Sequence, residues 1–290
     1  MENIASYFLK KTTINCGGKL LDLSNPVVMG IINVTPDSFY LGNRFSSTGK
    51  VVRRVEKMLE DGAGIIDIGA YSSRPGAKDV SSKEELDRLI PALKAIRKKC
   101  PDAVLSIDTF RSEVARRVVE DYGIAMVNDI SGGELDSAMF ETVADLNVSY
   151  ILMHMKGNPL NMQVNPTYEN VEQELILYFS EKLKALNLLG VKDVIIDPGF
   201  GFGKSLDHNF ELLARLNDFR VFDLPMLAGF SRKSMIYKLL NTTPDGALNG
   251  TTVLNTIALL KGVSILRVHD VREAVDTIRL LDMYKKYRHF

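Results

Sequence analysis

Polar residues suited to catalysis or ligand binding end or follow eight apolar segments of the chain. Each segment is a short run of aliphatic, often β-branched residues. The polar residues are Asn33, Asp67, Asp108, Asn128 with Asp129, His154, Asp197, Ser231 with Arg232 and Lys233, and Arg267 with His269. One such residue alone is more often a helix cap or an ion-pair partner than a catalytic group. All eight positions together indicate a functional site.

The charges of these residues predict a ligand with two unlike ends. Arg267 and His269 are two apart on a strand, so they project from the same face and suit an anion. Asp67, Asp108 and Asp197 would instead accept hydrogen bonds from N–H donors or stabilise positive charge. We therefore expect a substrate that combines a donor-rich heterocycle with a phosphate.

The elements that must position these residues alternate between strand and helix. Apolar runs predict strands at residues 27–32, 65–68, 104–107, 126–127, 150–153, 194–196, 225–228 and 265–268. A 3.6-residue periodicity predicts helices at 51–59, 84–96, 112–119, 139–146, 171–189, 209–216, 248–260 and 271–287. Eight repeats in ~250 residues predict an α/β fold, a (β/α)₈ TIM barrel with its chemistry at the carboxyl ends of the strands. A doubly wound open sheet is the alternative, because a strand count does not prove closure.

The segment before the first barrel strand reads as a hairpin. Two short alternating runs flank Gly17 and Gly18 within residues 12–23, which predicts a β-hairpin at the bottom of the barrel. No composition shift divides the rest, so we expect one domain over 1–290, with the hairpin in 1–25 and the barrel in 26–290. Before the second helix, Ser81 with Glu84 and Ser82 with Glu85 offer two registers of a capping box.

Composition excludes several classes of protein. The 290 residues are 46% hydrophobic and 25% charged, as in an ordinary globular protein. Lys and Arg total 36 and Asp and Glu total 36, so no net positive field attracts nucleic acid or an anionic membrane. Cys16 and Cys100 are the two cysteines, and the chain has four histidines. These residues give no disulfide framework and no zinc-binding spacing, which fits a reducing cytoplasm. The longest late apolar stretch is interrupted by Lys261, so no membrane span is expected.

The glycine-rich segment 199–205 resembles nucleotide-binding loops without matching them. A Walker loop would need glycine at Pro198, and the dinucleotide fingerprint would need it at Lys204. Its alternating glycines instead predict either close passage of a flat ligand or a tight turn. Lys204 and Lys233 are also candidates for the Schiff-base lysine of a barrel aldolase. An anion or carbonyl contact is the simpler role for Lys233, which lies beside Arg232.

Eight segments in order resemble the motifs of dihydropteroate synthases. The resemblance runs from residue 27 to the last helix and is specific because all eight occur at compatible spacing. The segments are Asn33-Val34-Thr35-Pro36-Asp37-Ser38-Phe39, Ser73-Arg74-Pro75-Gly76, Ile107-Asp108-Thr109, Val127-Asn128-Asp129-Ile130-Ser131-Gly132-Gly133, Met153-His154-Met155-Lys156-Gly157-Asn158-Pro159, Asp197-Pro198-Gly199-Phe200-Gly201-Phe202-Gly203-Lys204, Ser231-Arg232-Lys233-Ser234 and Arg267-Val268-His269-Asp270.

The resemblance implies a transferase of folate biosynthesis. Such an enzyme joins 6-hydroxymethyl-7,8-dihydropterin pyrophosphate to p-aminobenzoate and releases pyrophosphate and 7,8-dihydropteroate. By resemblance, the pterin ring is bound by Asp108, Asn128, Asp197 and Lys233 and packed by Met153 and Phe202. The pyrophosphate is held by Asn33, Arg267 and His269, with Mg²⁺ bridging Asn33 and phosphate oxygens. The p-aminobenzoate contacts Phe39, Ser73, Pro75 and Ser234, and the catalytic electrostatics come from Asp108, Arg74, Lys233, Arg267 and His269.

Two loops depart from the family pattern, and these departures leave two alternative functions open. Tyr71 replaces an acidic residue that many members carry before Arg-Pro-Gly, and Arg44 ends a first loop that lacks a common aspartate. A pterin-dependent methyltransferase domain is one alternative, although it has no need of a pyrophosphate pocket. A non-catalytic pterin-binding homologue is the other. The resemblance also implies a homodimer through the late helices and possible inhibition by sulfonamides.

Overall fold

The computed structural model describes residues 12–34, 44–71, 80–159 and 161–287. Its strands are β1 Thr13–Cys16, β2 Lys19–Asp22, β3 Val27–Asn33, β4 Ile65–Gly69, β5 Leu105–Asp108, β6 Met126–Asp129, β7 Ser149–Met153, β8 Val194–Asp197, β9 Leu227–Ala228 and β10 Ile265–Val268. Its α-helices are α1 Arg44–Glu60, α2 Ser82–Lys99, α3 Ser112–Tyr122, α4 Met139–Leu146, α5 Val171–Leu188, α6 Leu206–Ala214, α7 Ser234–Tyr237, α8 Leu248–Leu260 and α9 Val271–Lys286. Two 3₁₀ helices cover Leu216–Phe222 and Asp245–Ala247.

The eight strands from β3 to β10 form one parallel sheet that closes on itself. Their order is β8-β7-β6-β5-β4-β3-β10-β9. A parallel bridge between Ile196 and Met226 joins the two ends, and the Ile196 amide donates to the Pro225 carbonyl at 3.0 Å. The barrel prediction is therefore confirmed, and the open-sheet alternative is wrong. The sheet is closed by a bridge rather than a long ladder, since β9 has only two residues and Pro225 has no N–H to donate.

The two-residue period of the strands sorts their side chains into an outer and an inner set. On β4, Ile66 and Ile68 face outward and join the large apolar cluster under the helices. Ile65 faces inward with the smaller apolar cluster at the bottom of the barrel. Asp67, two residues further along, faces the same way but lies nearer the mouth. On β6, β8 and β10 the same step leads from an apolar bottom residue to a polar mouth residue: Met126 to Asn128, Ile195 to Asp197 and Ile265 to Arg267.

The N-terminal hairpin covers the bottom of the barrel, as predicted. β1 pairs with β2 in antiparallel register around Gly17 and Gly18, which both have positive φ. Ile14, Cys16 and Leu23 pack into the inner cluster with the first inward residues of the barrel strands. The Ser149 hydroxyl fixes the hairpin by donating to the Asn15 carbonyl at 2.7 Å. The hairpin thus supplies the apolar floor beneath the polar mouth.

Truncating a floor residue is expected to destabilise the fold without touching the site. Ile14 is 0% exposed, so Ile14→Ala should lower the free energy of unfolding by roughly 2–5 kcal/mol through lost burial and a residual cavity. Leu20→Ala is the matched control, because Leu20 of the same hairpin is 74% exposed. Urea denaturation measures both variants. Equal stability of the two would contradict a role of the hairpin as the floor.

Helix boundaries differ from the predictions in a few places. Ser81 is the N-cap of α2 and accepts from the Glu84 amide at 3.2 Å, so the first of the two capping registers is correct. α6 starts earlier than expected because the Ser205 side chain caps it through the His208 amide, and a 3₁₀ helix follows it. The short helix α7 lacks the length for a periodic signal. Within the ranges given above, no helix has the length and apolarity needed to cross a bilayer.

Candidate active site at the barrel mouth

Arg267 lies between two carboxylates at the mouth of the barrel. Its Nε donates to Asp67 Oδ2 at 2.7 Å, and its Nη2 donates to Asp108 Oδ2 at 2.5 Å. Asp67 is 0% exposed and Asp108 is 22% exposed. The register β10-β3-β4-β5 brings the three residues together from positions far apart in the chain. The expected separation of anion-binding and cation-stabilising residues is therefore incomplete, because Arg267 links both sets.

Asn128 extends this network, whereas its neighbour Asp129 belongs to the structure behind it. The Asn128 Nδ2 donates to Asp67 Oδ2 at 2.9 Å. Asp129 faces the helix layer, where it accepts from the Ser131 amide and hydroxyl and from the Tyr150 hydroxyl, each at 2.7 Å. The predicted divergence of the two side chains is confirmed. Asp129 holds the start of the following loop rather than a ligand.

Burial shapes the electrostatics of this network. Loss of hydration at the mouth raises the pKa of Asp108 to about 7, and the neighbouring charge of Asp67 adds to that effect against the opposing Arg267. The two carboxylates hold the pKa of Arg267 above its ordinary value despite its burial. Ionising the Asp108 carboxyl group is therefore costly, and a positive charge beside it stabilises the ionised form.

Asp197 and Lys233 form a second group of residues at the mouth. The Gly199 amide donates to Asp197 Oδ1 at 2.8 Å, while burial raises the pKa of Asp197. Lys233 donates from Nζ to the Phe200 carbonyl and lies 4.8 Å from the centre of the Phe202 ring. Burial lowers the pKa of Lys233 to about 8. A buried carboxylate, an ammonium and an aromatic face together suit a flat, polar ring.

The glycine-rich segment after β8 is a tight turn packed against its own chain. Gly199, Gly201 and Gly203 all have positive φ. A Cβ at Gly199 would collide with the His154 carbonyl oxygen, and one at Gly203 would collide with the Lys156 carbonyl oxygen. Of the two alternatives for these glycines, the tight turn therefore holds at Gly199 and Gly203.

The loop after β9 fixes the entrance on a third side. The Ser231 hydroxyl lies 3.0 Å from His269 Nδ1 and accepts from the His269 amide at 3.2 Å. Arg232 has a φ of 60°, a strained conformation for a residue with a side chain. Its guanidinium is held by Asp270 at 2.9 Å and Asp245 at 2.9 Å. This anchoring turns Lys233 into the mouth and lets Ser234 begin α7.

The remaining predicted site residues fall into two groups. Asn33 ends β3 with an exposed side chain, and Met153 ends β7 in a small apolar cluster that Phe202 borders. Both therefore lie at the mouth. The other group, Phe39, Ser73, Arg74 and Pro75, lies outside the described residues. Their roles stay predictions.

Arg111 makes a cationic contact beside Tyr71 that neither motif nor spacing predicted. The Arg111 guanidinium lies 4.5 Å from the Phe110 ring centre and 5.4 Å from that of Tyr71. It also donates to the Val80 carbonyl and to the buried Glu85, both at 2.6 Å. Tyr71, which departs from the family pattern, thus packs against a guanidinium that is already paired with the buried Glu85. That substitution was the only available signal.

Comparison with known proteins agrees with this geometry. A family model described as "Pterin binding enzyme" matches residues 29–269. The dihydropteroate synthase of Escherichia coli (strain K12) is 44% identical over 267 residues, 91% of this chain and 94% of that protein. A crystal structure of the Yersinia pestis dihydropteroate synthase with a sulfonamide drug complex superimposes with a TM-score of 0.88 at 38% identity, covering 94% of this chain and 99% of that one.

A second solved structure gives the same result. The Xanthomonas albilineans dihydropteroate synthase with 4-aminobenzoic acid has a TM-score of 0.88 at 36% identity and covers 96% of this chain and 99% of its own. Identity at this level over nearly the whole of both chains shows common ancestry and fold. The chain therefore belongs to the dihydropteroate synthase family, the transferases of folate biosynthesis that condense 6-hydroxymethyl-7,8-dihydropterin pyrophosphate with p-aminobenzoate.

Proposed function

We propose that this mouth divides the family reaction between the two groups of residues described above. Asp197, Asn128 and Lys233 bind the pterin ring, with the Asp197 carboxylate accepting from the donor edge and the Lys233 ammonium donating to the ring carbonyl. Phe202 and Met153 pack on the ring faces. Arg267 and His269 hold the pyrophosphate. The observation that carries this assignment is the position of Arg267, which links Asp67 and Asp108 to the anion side.

The reaction needs charge stabilisation and no covalent enzyme intermediate. The bond between the pterin methylene carbon and the pyrophosphate oxygen breaks, and the bonding electrons leave with pyrophosphate. The amine nitrogen of p-aminobenzoate then bonds to that carbon and loses a proton. Asp108 stabilises the cationic carbon and ring, while Arg267 and His269 stabilise the leaving anion. Preorganisation by the barrel strands makes these charges effective.

The p-aminobenzoate site is proposed to lie at α7. Ser234 is the first residue of this helix and is half-buried, so its hydroxyl and the free amides of the first turn favour a carboxylate. Support comes from the Xanthomonas albilineans relative, which was solved with 4-aminobenzoic acid. The Yersinia pestis relative was solved with a sulfonamide drug, and we propose sulfonamide inhibition here on that ground.

Mg²⁺ is proposed to be bound mainly by the substrate. In the ranges described, no group of three or more His, Cys, Asp and Glu side chains is placed to hold a metal ion. Asn33 offers one exposed amide oxygen at the end of β3. Mg²⁺ in phosphate sites is held by few protein oxygens with substrate oxygens and water, so this residue fits that ion. When bound, the ion would neutralise negative charge on the pyrophosphate.

A homodimer through the late helices is proposed from their exposed apolar side chains. α8 buries Leu254 and Leu259 against the barrel and also exposes Val253 and Leu260. α9 exposes Leu280, Met283 and Tyr284 beside it. Apolar residues on the outer faces of two adjacent helices are typical of a subunit interface.

The proposed function is tested by mixing the protein with Mg²⁺, dihydropterin pyrophosphate and p-aminobenzoate and measuring dihydropteroate and pyrophosphate. Equimolar formation of both products is expected, with loss of activity when EDTA replaces Mg²⁺. Pterin binding without any product would favour a non-catalytic pterin-binding protein.

Activity should pass through a maximum between pH 7 and 8. Protonation of Asp108, whose pKa is raised to about 7, removes the negative charge that stabilises the cation, so kcat/KM falls at lower pH. Burial lowers the pKa of Lys233 to about 8, so its ammonium group is lost at higher pH. A pH profile of kcat/KM for the pterin substrate measures this. A value that rises steadily from pH 6 to pH 9 would contradict it.

Asp197→Asn is expected to weaken pterin binding by about ten-fold or more. The amide replaces one acceptor oxygen by an N–H₂ that faces a substrate donor, a mismatch of roughly 1–3 kcal/mol. Calorimetric titration with 6-hydroxymethylpterin measures the affinity, and Asp193→Asn, before the same strand, is the control. Unchanged affinity in a folded Asp197 variant would remove Asp197 from the pocket.

A further inference from the structure

A buried lysine lies behind the glycine-rich turn at the mouth. Lys204 is 3% exposed. Its Nζ lies 3.0 Å from His154 Nδ1 and donates to three carbonyl oxygens, those of Gly199 at 3.0 Å, Phe202 at 3.1 Å and His154 at 3.3 Å. Nothing in the reaction assigned above uses this group.

The surroundings of this nitrogen show what kind of group it is. Four acceptors face one Nζ, which matches an ammonium with three N–H donors that must all be satisfied when buried. Burial and the neighbouring lysines lower the pKa of His154 to about 2, so its imidazole is neutral and its Nδ1 acts as an acceptor. Lys204 is thus a buried cation held by neutral oxygens and one imidazole.

The four acceptors come from two separate elements. Gly199 and Phe202 lie at the two ends of the tight turn, and the Phe202 amide also donates to the Gly199 carbonyl at 3.1 Å. His154 follows the last residue of β7 on the neighbouring strand. The ammonium therefore closes the turn on itself and ties it to the end of β7.

This turn carries the aromatic part of the pterin site and contacts its cation, Lys233. The Phe202 ring packs beside the Met153 cluster and under the Lys233 ammonium. The Phe200 carbonyl, in the middle of the turn, accepts from Lys233. The Gly199 amide, at its start, donates to Asp197. A shift of the turn would displace the partners of Asp197 and Lys233 together with the Phe202 ring.

The same contacts exclude the Schiff-base role that the sequence offered for Lys204, and they exclude a phosphate-binding role as well. A Schiff-base lysine needs a substrate carbonyl at Nζ, but this Nζ is enclosed by backbone oxygens. A phosphate-binding lysine would extend toward the mouth, whereas this side chain points behind the turn.

We propose that Lys204 and His154 form a positioning pair that fixes the turn from Gly199 to Phe202, and through it the face on which the pterin ring packs. The proposal rests on the pterin site assigned above. Lys204 is a positioning residue, because its contacts are to the chain and not to the reacting atoms. Since the turn lies on the pterin side, its loss affects the pterin ring and leaves the pyrophosphate side in place.

The first test compares Lys204→Met with Lys156→Met. Lys156 lies on the adjoining loop, where its Nζ binds Glu174 at 3.0 Å on the outer side. We expect Lys204→Met to weaken 6-hydroxymethylpterin about ten-fold or more in calorimetric titrations at pH 6.5, and to change inorganic pyrophosphate affinity less than two-fold. Lys156→Met should leave both affinities unchanged. Equal weakening of both ligands by Lys204→Met would indicate general damage and overturn the proposal.

The second test isolates the acceptor on His154 and holds even if Lys204→Met fails to fold. Asn and Leu are nearly the same size, and Asn places an oxygen close to the position of Nδ1. His154→Asn should keep pterin affinity within about three-fold of the wild-type value, whereas His154→Leu should weaken pterin affinity about ten-fold. Equal pterin affinity in the two variants would overturn the proposal. If the wild-type protein does not bind 6-hydroxymethylpterin, the pterin site itself is wrong, and that outcome is separate from the others.

Discussion

Replacing Arg267 with alanine is expected to lower kcat/KM by about a thousand-fold and to destabilise the fold by roughly 3–5 kcal/mol. The guanidinium separates Asp67, which is fully buried, from Asp108. Its removal leaves two carboxylates facing each other without a cation, and it also removes a charge from the pyrophosphate side. Stability and catalysis should therefore fall together.

Thermal denaturation and steady-state kinetics measure the two effects separately. A second variant, Arg267→Ala with Asp67→Asn, removes one of the orphaned charges and should recover much of the stability while activity stays low. Arg267→Lys keeps a charge but loses the two-pronged contact to Asp67 and Asp108. If Arg267→Ala were as stable as the wild type, the paired carboxylates would not depend on this cation.

Asp108→Asn is expected to lower kcat by about a hundred- to a thousand-fold, in the range found when a preorganised electrostatic group is removed from a transition state. The amide retains the shape of the carboxylate and an oxygen facing Arg267. The loss therefore isolates the negative charge that stabilises the pterin cation formed when pyrophosphate leaves. Pterin affinity should change much less than kcat.

Single-turnover measurements with saturating substrates give this rate without the contribution of product release. Asp87→Asn, an exposed substitution on α2, serves as the control. The residual activity of Asp108→Asn should also lack the fall below pH 7. A loss of kcat smaller than ten-fold would show that the cation is stabilised elsewhere.

The strand-end residues could be predicted because two physical regularities act together. Parallel strands place their carboxyl ends at one edge, and the two-residue period fixes which side chains turn inward. From these regularities, Asp67, Asn128, Asp197 and Arg267 are expected at the same mouth, and Asp129 is expected to point away from Asn128. The barrel itself followed from the count and spacing of the apolar runs.

The pairing within the mouth could not be predicted, because it depends on how far each strand is shifted against the next. Arg267 lies between Asp67 and Asp108 through the register of three strand pairs, which no single segment encodes. Lys204 contacts backbone carbonyls of a turn, and because every residue has a backbone carbonyl, the residue types do not indicate these contacts. The strained conformation of Arg232 is equally invisible, since only the surrounding anchors Asp245 and Asp270 enforce it.

The apolar floor of the barrel has a consequence for the order of folding. Ile14 lies in β1 and Leu23 directly follows β2, yet the residues that bury them include Ile195, Leu227 and Ile265 from the later strands of the barrel. Contacts between such distant positions form slowly, because a long loop must close before they stabilise the chain. A growing polypeptide therefore carries the hairpin with its apolar side exposed until the last strand is available. The segment that completes the barrel bottom is thus made before the strands that bury it, and during synthesis it is the part of the barrel that would most need protection from aggregation.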